Sequence, residues 1–340
     1  MRLPLGKLPS SILRKIILDS IKVDNSVLLP PKIGEDGAVV RLKDNLIVAA
    51  SDPITGTSSK IGWLSVHINA NDIVVHAAIP RWFLVILLMP EGTKEKDIED
   101  IMAGIHRGLE ELRINLIGGH TEITNKVVAP IVAGFMLGEP IKPGYFIQTG
   151  GAKPDDAIII TKGAGIEGTL ILATDFYDEL KKHIEKELLQ NAQQLDRLIS
   201  VYKDVMTLIS GIGLENIHSM HDATEGGLLG ALYELSEASN TGFVIYEEKV
   251  PILKETKAIT EFYKLDPLKL ISSGTLVATI EKNLAEIAVK KLQEIGINAE
   301  IIGRITEAPD KIVVRKNGYR EILSEVPIDE LWKFLGHKEV

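Results

Sequence analysis

Strand-like apolar runs alternate with stretches of helical periodicity along this chain, and the series is interrupted once, from Gly138 to Pro154. That interrupted alternation constrains the fold more than any single motif. Alternating strands and helices bury their apolar faces as mixed α/β layers. The interruption holds Pro140, Pro143, Pro154 and several glycines, with no sustained period, and it reads as a domain boundary. The expected fold is therefore α/β (α+β) with two domains, over 1–150 and 151–340. A length of 340 residues suits that division.

Local signals give a coarse element order. Ser10 can cap a helix over 10–21 with Ile12, Ile16 and Ile17 on one face. Strands over 38–42 and 46–51 flank the turn Lys43-Asp44-Asn45. A helix runs from Ser58 to Ala78 and is closed by Pro80, because the residue before proline disfavours helical backbone. Strand 83–89, helix 94–111, a short strand 114–117 and strand 127–137 follow. The second half starts with strand 157–162 and long helices over 166–189 and 191–209. Strands near 217–220, 242–246, 275–280 and 299–304 then alternate with helices over 225–238, 254–264 and 283–296.

Composition narrows the function. Hydrophobic residues are 45% and charged residues 25%, an ordinary globular balance. The formal net charge of -9 argues against nucleic acid as a partner, since phosphate backbones require a basic face. It leaves nucleotides open, because acidic proteins bind them through metal ions. Cysteine is absent, which excludes disulfides, Cys-ligated zinc, iron–sulfur clusters and thiol nucleophiles. The start of the chain has no apolar signal-peptide core, and the most apolar run, Phe83 to Met89, is too short to span a bilayer. The expected location is cytoplasmic, with no membrane partner.

Five segments set carboxylates among small or turn-forming residues: Gly34-Glu35-Asp36-Gly37, Ser51-Asp52-Pro53, Asn69-Ala70-Asn71-Asp72, Gly118-Gly119-His120-Thr121-Glu122 and His221-Asp222-Ala223-Thr224-Glu225. Asp52 is expected at the end of an apolar strand, Asp72 within an apolar helix, and His120 and Glu122 after a short strand closed by two glycines. Taken singly, each has a plain structural explanation as a turn residue, strand exit or helix ion pair. A converging set would repel itself unless a divalent cation held it, and Mg²⁺ takes carboxylates together with phosphate oxygens.

Their order along the chain resembles the PurM-like superfamily. The resemblance is carried by GEDGAVV (34–40), SDPIT (51–55), IGWLSVHINANDIVVHAAIP (61–80), GGHTEIT (118–124), ITKGAGIEGTLILA (160–173), HDATEGGLLGALYELSEAS (221–239) and ISSGTL (271–276). That superfamily includes aminoimidazole-ribonucleotide synthetase, selenophosphate synthetase, thiamine-monophosphate kinase and HypE-type hydrogenase maturation proteins. The segments are most similar to archaeal HypE-related proteins. The resemblance implies an N-terminal half-barrel completed by a second subunit, hence a homodimer, with ATP and Mg²⁺ as cofactors. It implies metal ligation by Asp36, Asp52, Asp72, Glu122 and Asp222, converging in one cleft. It implies nucleotide contacts from Gly34, Glu35, Asn69, Asn71, Gly118, Gly119 and Thr121, and catalytic roles for Asp72 and His120. The implied reaction is transfer of the γ-phosphoryl group of ATP to a small-molecule substrate.

Three features qualify the resemblance. HypE proteins carry a carbamoyl group on a C-terminal cysteine, whereas this sequence ends Gly336-His337-Lys338-Glu339-Val340. The expectation is that it does not carry that group, which leaves a nucleotide-binding maturation or scaffold role with a partner protein as an alternative. Thiamine-monophosphate kinase activity is a further alternative, although that kinase usually reads GGD where this chain has Gly118-Gly119-His120. Finally, Gly163-Ala164-Gly165-Ile166-Glu167-Gly168 matches a dinucleotide-binding pattern, but no strand with a terminal acid follows about 20 residues on. It reads instead as a glycine turn able to hold an anion at a helix start. In the superfamily that turn faces the substrate, and Gly163, Gly165, Gly168, Ser272 and Ser273 become the substrate-side candidates.

Overall fold

The computed structural model describes residues 6–55, 57 and 60–338, and it divides into two compact units. The first comprises Asn25–Pro30 and Asp36–Phe146. The second comprises the chain up to Asp24, Pro31–Glu35, and the chain from Ile147 onward. The N-terminal stretch, including helix α1 (Ser10–Ile16), thus groups with the second unit. No helix among the described residues is long and apolar enough to cross a membrane.

The first unit contains β1 (Val27–Leu29), β2 (Ala38–Leu42), β3 (Asn45–Ile54), α2 (Ile61–Val75), β4 (Ala78–Pro90), α3 (Glu95–Leu112), β5 (Asn115–Thr124) and β6 (Ile131–Pro140). Its sheet runs β1-β2-β3-β6-β4-β5. Neighbours are antiparallel except β4 and β5, which α3 joins as a parallel crossover. Helix α2 packs across β3, β6 and β4 and is covered in turn by α3. It is therefore buried along its whole length, which explains why its sequence is apolar on every side. Helix α3 needs only one apolar stripe and presents Ile101, Ile105 and Leu109.

The second unit adds β7 (Ala157–Thr161), α4 (Ile166–Asp175), α5 (Tyr177–Leu180), α6 (Lys186–Ala192), α7 (Tyr202–Ile212), β8 (Ile217–Ala223) and α8 (Gly227–Ser239). It continues with β9 (Gly242–Tyr246), α9 (Lys254–Tyr263), β10 (Thr275–Ile280), α10 (Ala285–Glu294), β11 (Ala299–Thr306), β12 (Lys311–Val314), β13 (Arg320–Ile322) and α11 (Glu330–Lys338). The sheet order is β13-β12-β9-β11-β7-β10-β8. Every residue of β7 and β10 is buried, as their continuous apolar runs require. Helix α8 packs on β8, β9 and β10, and its Leu228 and Leu232 meet Ile158, Phe243 and Val277 in the main core. A second cluster gathers α4, α6, α9 and α11 around Leu172, Leu189, Ile259 and Leu331.

Several expected elements differ. Helix α2 ends at Val75, with Ala77 in left-handed backbone (φ 57°), and Pro80 lies inside β4 at an irregularity between Pro80 and Trp82. Proline is tolerated in a sheet at such a break. Asp52 does not end its strand, since β3 continues to Ile54. The Gly118–Glu122 segment belongs to β5 rather than to a loop after it. The expected long helices over 166–189 and 191–209 are broken into α4, α5, α6 and α7. Start residues Ser58 and Ser59 of the expected α2 lie outside the described residues.

Candidate functional site

Helix geometry concentrates polarity on one line of α2. Ser65, Asn69, Asp72 and His76 follow one another at i, i+4, i+7 and i+11, which puts them on a single face. All four are buried: Ser65, Asn69 and His76 at 0% exposure and Asp72 at 4%. Asn69 reads the backbone of Asp52 in both directions. Its Oδ1 accepts the Asp52 N–H at 2.8 Å, and its Nδ2 donates to the Asp52 carbonyl at 3.1 Å and to the Ser65 carbonyl at 2.8 Å. Gly134 faces Asp52 on β6, and any side chain there would collide with the Asn69 amide and Phe83. At the far end of the stripe the ring of His76 lies against Gly37, next to Asp36. Asp36, Asp52 and Asp72 thus sit on segments that meet one helix face. Asn71, though buried, is turned about 200° from Asn69 and belongs to another face.

The remaining first-unit candidates stand elsewhere. Gly118, Gly119, His120, Thr121 and Glu122 are exposed on β5, the sheet edge. Three strand steps separate β5 from β3, roughly 14 Å at ordinary spacing. His120 and Glu122 approach each other, with Nε2 3.6 Å from Oε2, but within this unit they do not join Asp52.

In the second unit, Gly34 and Glu35 are engaged internally. The Glu35 carboxylate accepts the N–H groups of Thr149 at 3.0 Å and Gly150 at 3.1 Å, and Gly34 backs onto the Glu234 carbonyl. Asp222 lies in β8 opposite Leu276, with 0% exposure. Its charge is felt by Lys162, whose ammonium sits 3.1 Å from Asp204 and donates to the carbonyls of Leu198, Ser200 and Gly274 at 2.7–3.0 Å. Burial pulls the Lys162 ammonium below its ordinary range, and Asp204 opposes the shift. Beside Asp222, His221 Nε2 lies 3.1 Å from Glu234, which also meets Lys7 at 3.4 Å. Burial alone would push the Glu234 carboxyl up, but Lys7 and His221 together hold it down at about 2.

The glycine turn after β7 is tied inward. The N–H of Gly163 goes to the Thr161 carbonyl, that of Ala164 to Pro251, that of Gly165 to Ser272 Oγ at 2.7 Å, and that of Gly168 to the Ile271 carbonyl. An anion at this turn would have to be met by other donors. Ser272 is also engaged with Thr275 at 2.7 Å. Ser273 differs: its Oγ is buried and has no hydrogen-bond partner among the described residues. Lys162, Asp204, Glu234 and Lys7 escaped sequence reasoning. A lysine directly before the glycine turn was the one available signal, since nothing in the sequence marks the 42-residue separation (204 − 162 = 42) from Asp204.

Comparison with known proteins agrees with this two-unit arrangement. The family described as AIR synthase related protein, N-terminal domain, matches residues 34–139, and its C-terminal domain matches residues 153–316. A Methanocaldococcus jannaschii protein named for hydrogenase expression and formation is 29% identical over 336 residues, 96% of this chain and 95% of that one. The carbamoyl dehydratase HypE of Rhizobium leguminosarum bv. viciae is 27% identical, covering 79% and 74%. Thiamine-monophosphate kinase of Pyrococcus horikoshii is 27% identical, covering 84% and 86%. Among solved structures, a HypE–HypF complex superposes with TM-score 0.76 at 22% identity, over 93% of this chain and 99% of that one. HypE in complex with ATP superposes with TM-score 0.70 at 21% identity, over 97% and 98%. The protein is therefore a two-domain member of the AIR synthase related, PurM-like family.

Proposed function

We propose that this protein is an ATP- and Mg²⁺-dependent phosphotransferase or synthetase that activates a small-molecule substrate with the γ-phosphoryl group. The observation that carries the reading is the polar stripe of α2. A helix enclosed by sheet and helix devotes Asn69, Asp72 and His76 to one line, and Asn69 fixes the backbone of Asp52. Burying a carboxylate is costly unless it is paired or holds a metal ion, so a buried acid on a helix that is otherwise largely apolar is a candidate ligand.

Buried carboxylates are hard oxygen donors and fit Mg²⁺. Asp36, Asp52 and Asp72 are the proposed ligands in the first unit. Asp222 and Glu122 keep the metal roles that the family resemblance implies. Bound Mg²⁺ supplies neutralisation of phosphate charge. The chain's own residues position: Asn69 orients Asp52, while Gly34, Glu35, Asn71, Gly118, Gly119 and Thr121 are the proposed nucleotide contacts. Ser272 orders the Gly163–Gly168 turn, and Ser273 offers a hydroxyl to the substrate. His120 is the proposed proton carrier. Support comes from relatives: one HypE was solved with ATP, and another relative is a kinase.

The test is thermal. ATP with Mg²⁺ raises the melting temperature by mass action, because it binds only folded protein. Asp72→Asn abolishes most of that shift and leaves the unliganded melting temperature within a few degrees. A variant that keeps the full shift removes Asp72 from the metal site.

A second reading, a maturation protein acting through a partner, is favoured by the likeness to HypE in its complex with HypF. ATP turnover with candidate small molecules, thiamine monophosphate among them, separates the two. Turnover that depends only on a partner protein selects the second.

A further inference from the structure

The last helix starts from a buried carboxylate that touches three separate segments. Asp329 is 1% exposed. Its Oδ1 accepts the N–H of Leu331 at 2.8 Å, in the first turn of α11. Its Oδ2 accepts the N–H of Gly226 at 2.6 Å, in the turn that leads from Asp222 on β8 into α8. The N–H of Ile271, directly before Ser272 and Ser273, also donates to this carboxylate.

Those segments are packed backbone to backbone. Ser272 N–H donates to the Thr224 carbonyl at 3.3 Å, Leu229 N–H to Leu268 at 3.0 Å, and Glu330 N–H to Lys269 at 3.1 Å. Gly227 has φ +63°, and a Cβ there would stand 2.6 Å from the Leu270 carbonyl and 2.8 Å from that of Leu268. The helix itself is anchored: Leu331 is fully buried, and Phe334 meets Phe176 and Tyr263 at ring distances of 4.9 and 4.5 Å. A helix cap alone asks only for a hydroxyl or amide oxygen. A buried carboxylate is a costly substitute unless its second oxygen and its charge are used.

We propose that Asp329 is a positioning residue: it ties the root of α11 to the turn after Asp222 and to the turn before Ser272 and Ser273, and so fixes where these residues stand. The functional part rests on the reading of Asp222 as a metal ligand. Burial pushes the Asp329 carboxyl up to about 7 against its three N–H donors, with Glu225 adding to the rise. The other charged groups around it are Lys269 on the 268–272 segment, Glu330 and Lys333 on α11, and Lys7, whose N–H contacts Glu225. A proton on Asp329 takes the place of one accepted N–H.

Hydrogen–deuterium exchange on the full chain tests the clamp. In Asp329→Asn, peptides covering 224–229 and 268–273 exchange about tenfold faster, while those of β7 and β10 are unchanged. Asp329→Ser keeps the cap for Leu331 and loses the other two arms, so it gives the same loop response should the Asn variant fold poorly. In wild type, exchange at 224–229, corrected for intrinsic rates, slows as pH falls through about 7, because the buried carboxyl holds its proton more tightly in the closed clamp than in an opened one, and in Asp329→Asn it does not change. The affinity for ATP with Mg²⁺ falls about tenfold in both variants, the usual cost of losing a group behind a metal ligand. Unchanged loop exchange in both variants overturns the clamp. Faster exchange with unchanged affinity overturns its positioning role. If wild type binds no nucleotide, the proposed function fails, and the clamp is judged by exchange alone.

Discussion

Lys162 occupies a position no solvated lysine would choose. Its ammonium is enclosed by three carbonyls and Asp204, at a residue held in left-handed backbone (φ 64°) immediately before the glycine turn. The carbonyls belong to Leu198, Ser200 and Gly274, so one side chain ties the segment before α7 to the segment after Ser272 and Ser273. A buried pair of this kind contributes little over an apolar replacement, but breaking it leaves a buried charge. Asp204→Ala is therefore expected to cost about 3–5 kcal/mol of unfolding free energy, while Lys162→Met with Asp204→Leu recovers most of it. Urea unfolding of the two variants checks this. Equal losses would mean that the segments are held by something other than the pair.

At the scale of elements, the strand pair 38–42 and 46–51, the helix carrying Asp72 and the buried strands of the second unit were legible, because period and apolar density survive in any context. The breaks between α4, α5 and α6 were not. No glycine or proline marks them. Helix α4 stops at Asp175 where Phe176 turns its ring edge-on to Phe334, a contact with a residue 158 positions away (334 − 176 = 158). The carboxylates of the candidate site were legible as residues, yet their partners were not: Asn69 and Gly134 meet only through the β3–β6 pairing. Strand β5 shows a third limit. Its glycines suggested a loop, whereas it is a ten-residue edge strand with Leu116, Ile117 and Ile123 exposed and Phe135 partly exposed on β6. Long apolar edges invite pairing with another chain. The expected cover is a second copy in a two-fold dimer. Light scattering at micromolar concentration should give twice the 37.3 kDa chain mass, and Ile117→Lys with Ile123→Lys should halve it. A wild-type monomer would defeat this assignment.

For the molecule as a whole, connectivity distributes stability unevenly. The first 24 residues and Pro31–Glu35 belong to the second unit, so that unit is assembled from three pieces of chain. Glu35 caps the turn at Thr149 and Gly150, and Lys7 supports Glu234. Glu234 is the acid-sensitive part of this assembly. Its folded carboxyl titrates at about 2 against an ordinary 4.5, so the folded state binds its proton less readily than the unfolded chain. The associated stability is fully present above about pH 4.5 and is lost as pH falls towards 2, amounting to on the order of 3 kcal/mol. His221 reaches the Glu234 carboxylate from a buried position, whereas the Lys7 side chain is 44% exposed and screened. Lys7→Met is therefore expected to remove only about 1 kcal/mol at pH 7. That loss should shrink at high salt and diminish as pH falls from 4.5 towards 2, where Glu234 takes up its proton. Urea midpoints at pH 7, 4.5 and 3, with Glu234→Gln as the variant that no longer titrates, measure it. A Lys7→Met loss that is independent of pH would assign the N-terminal contact to packing rather than charge.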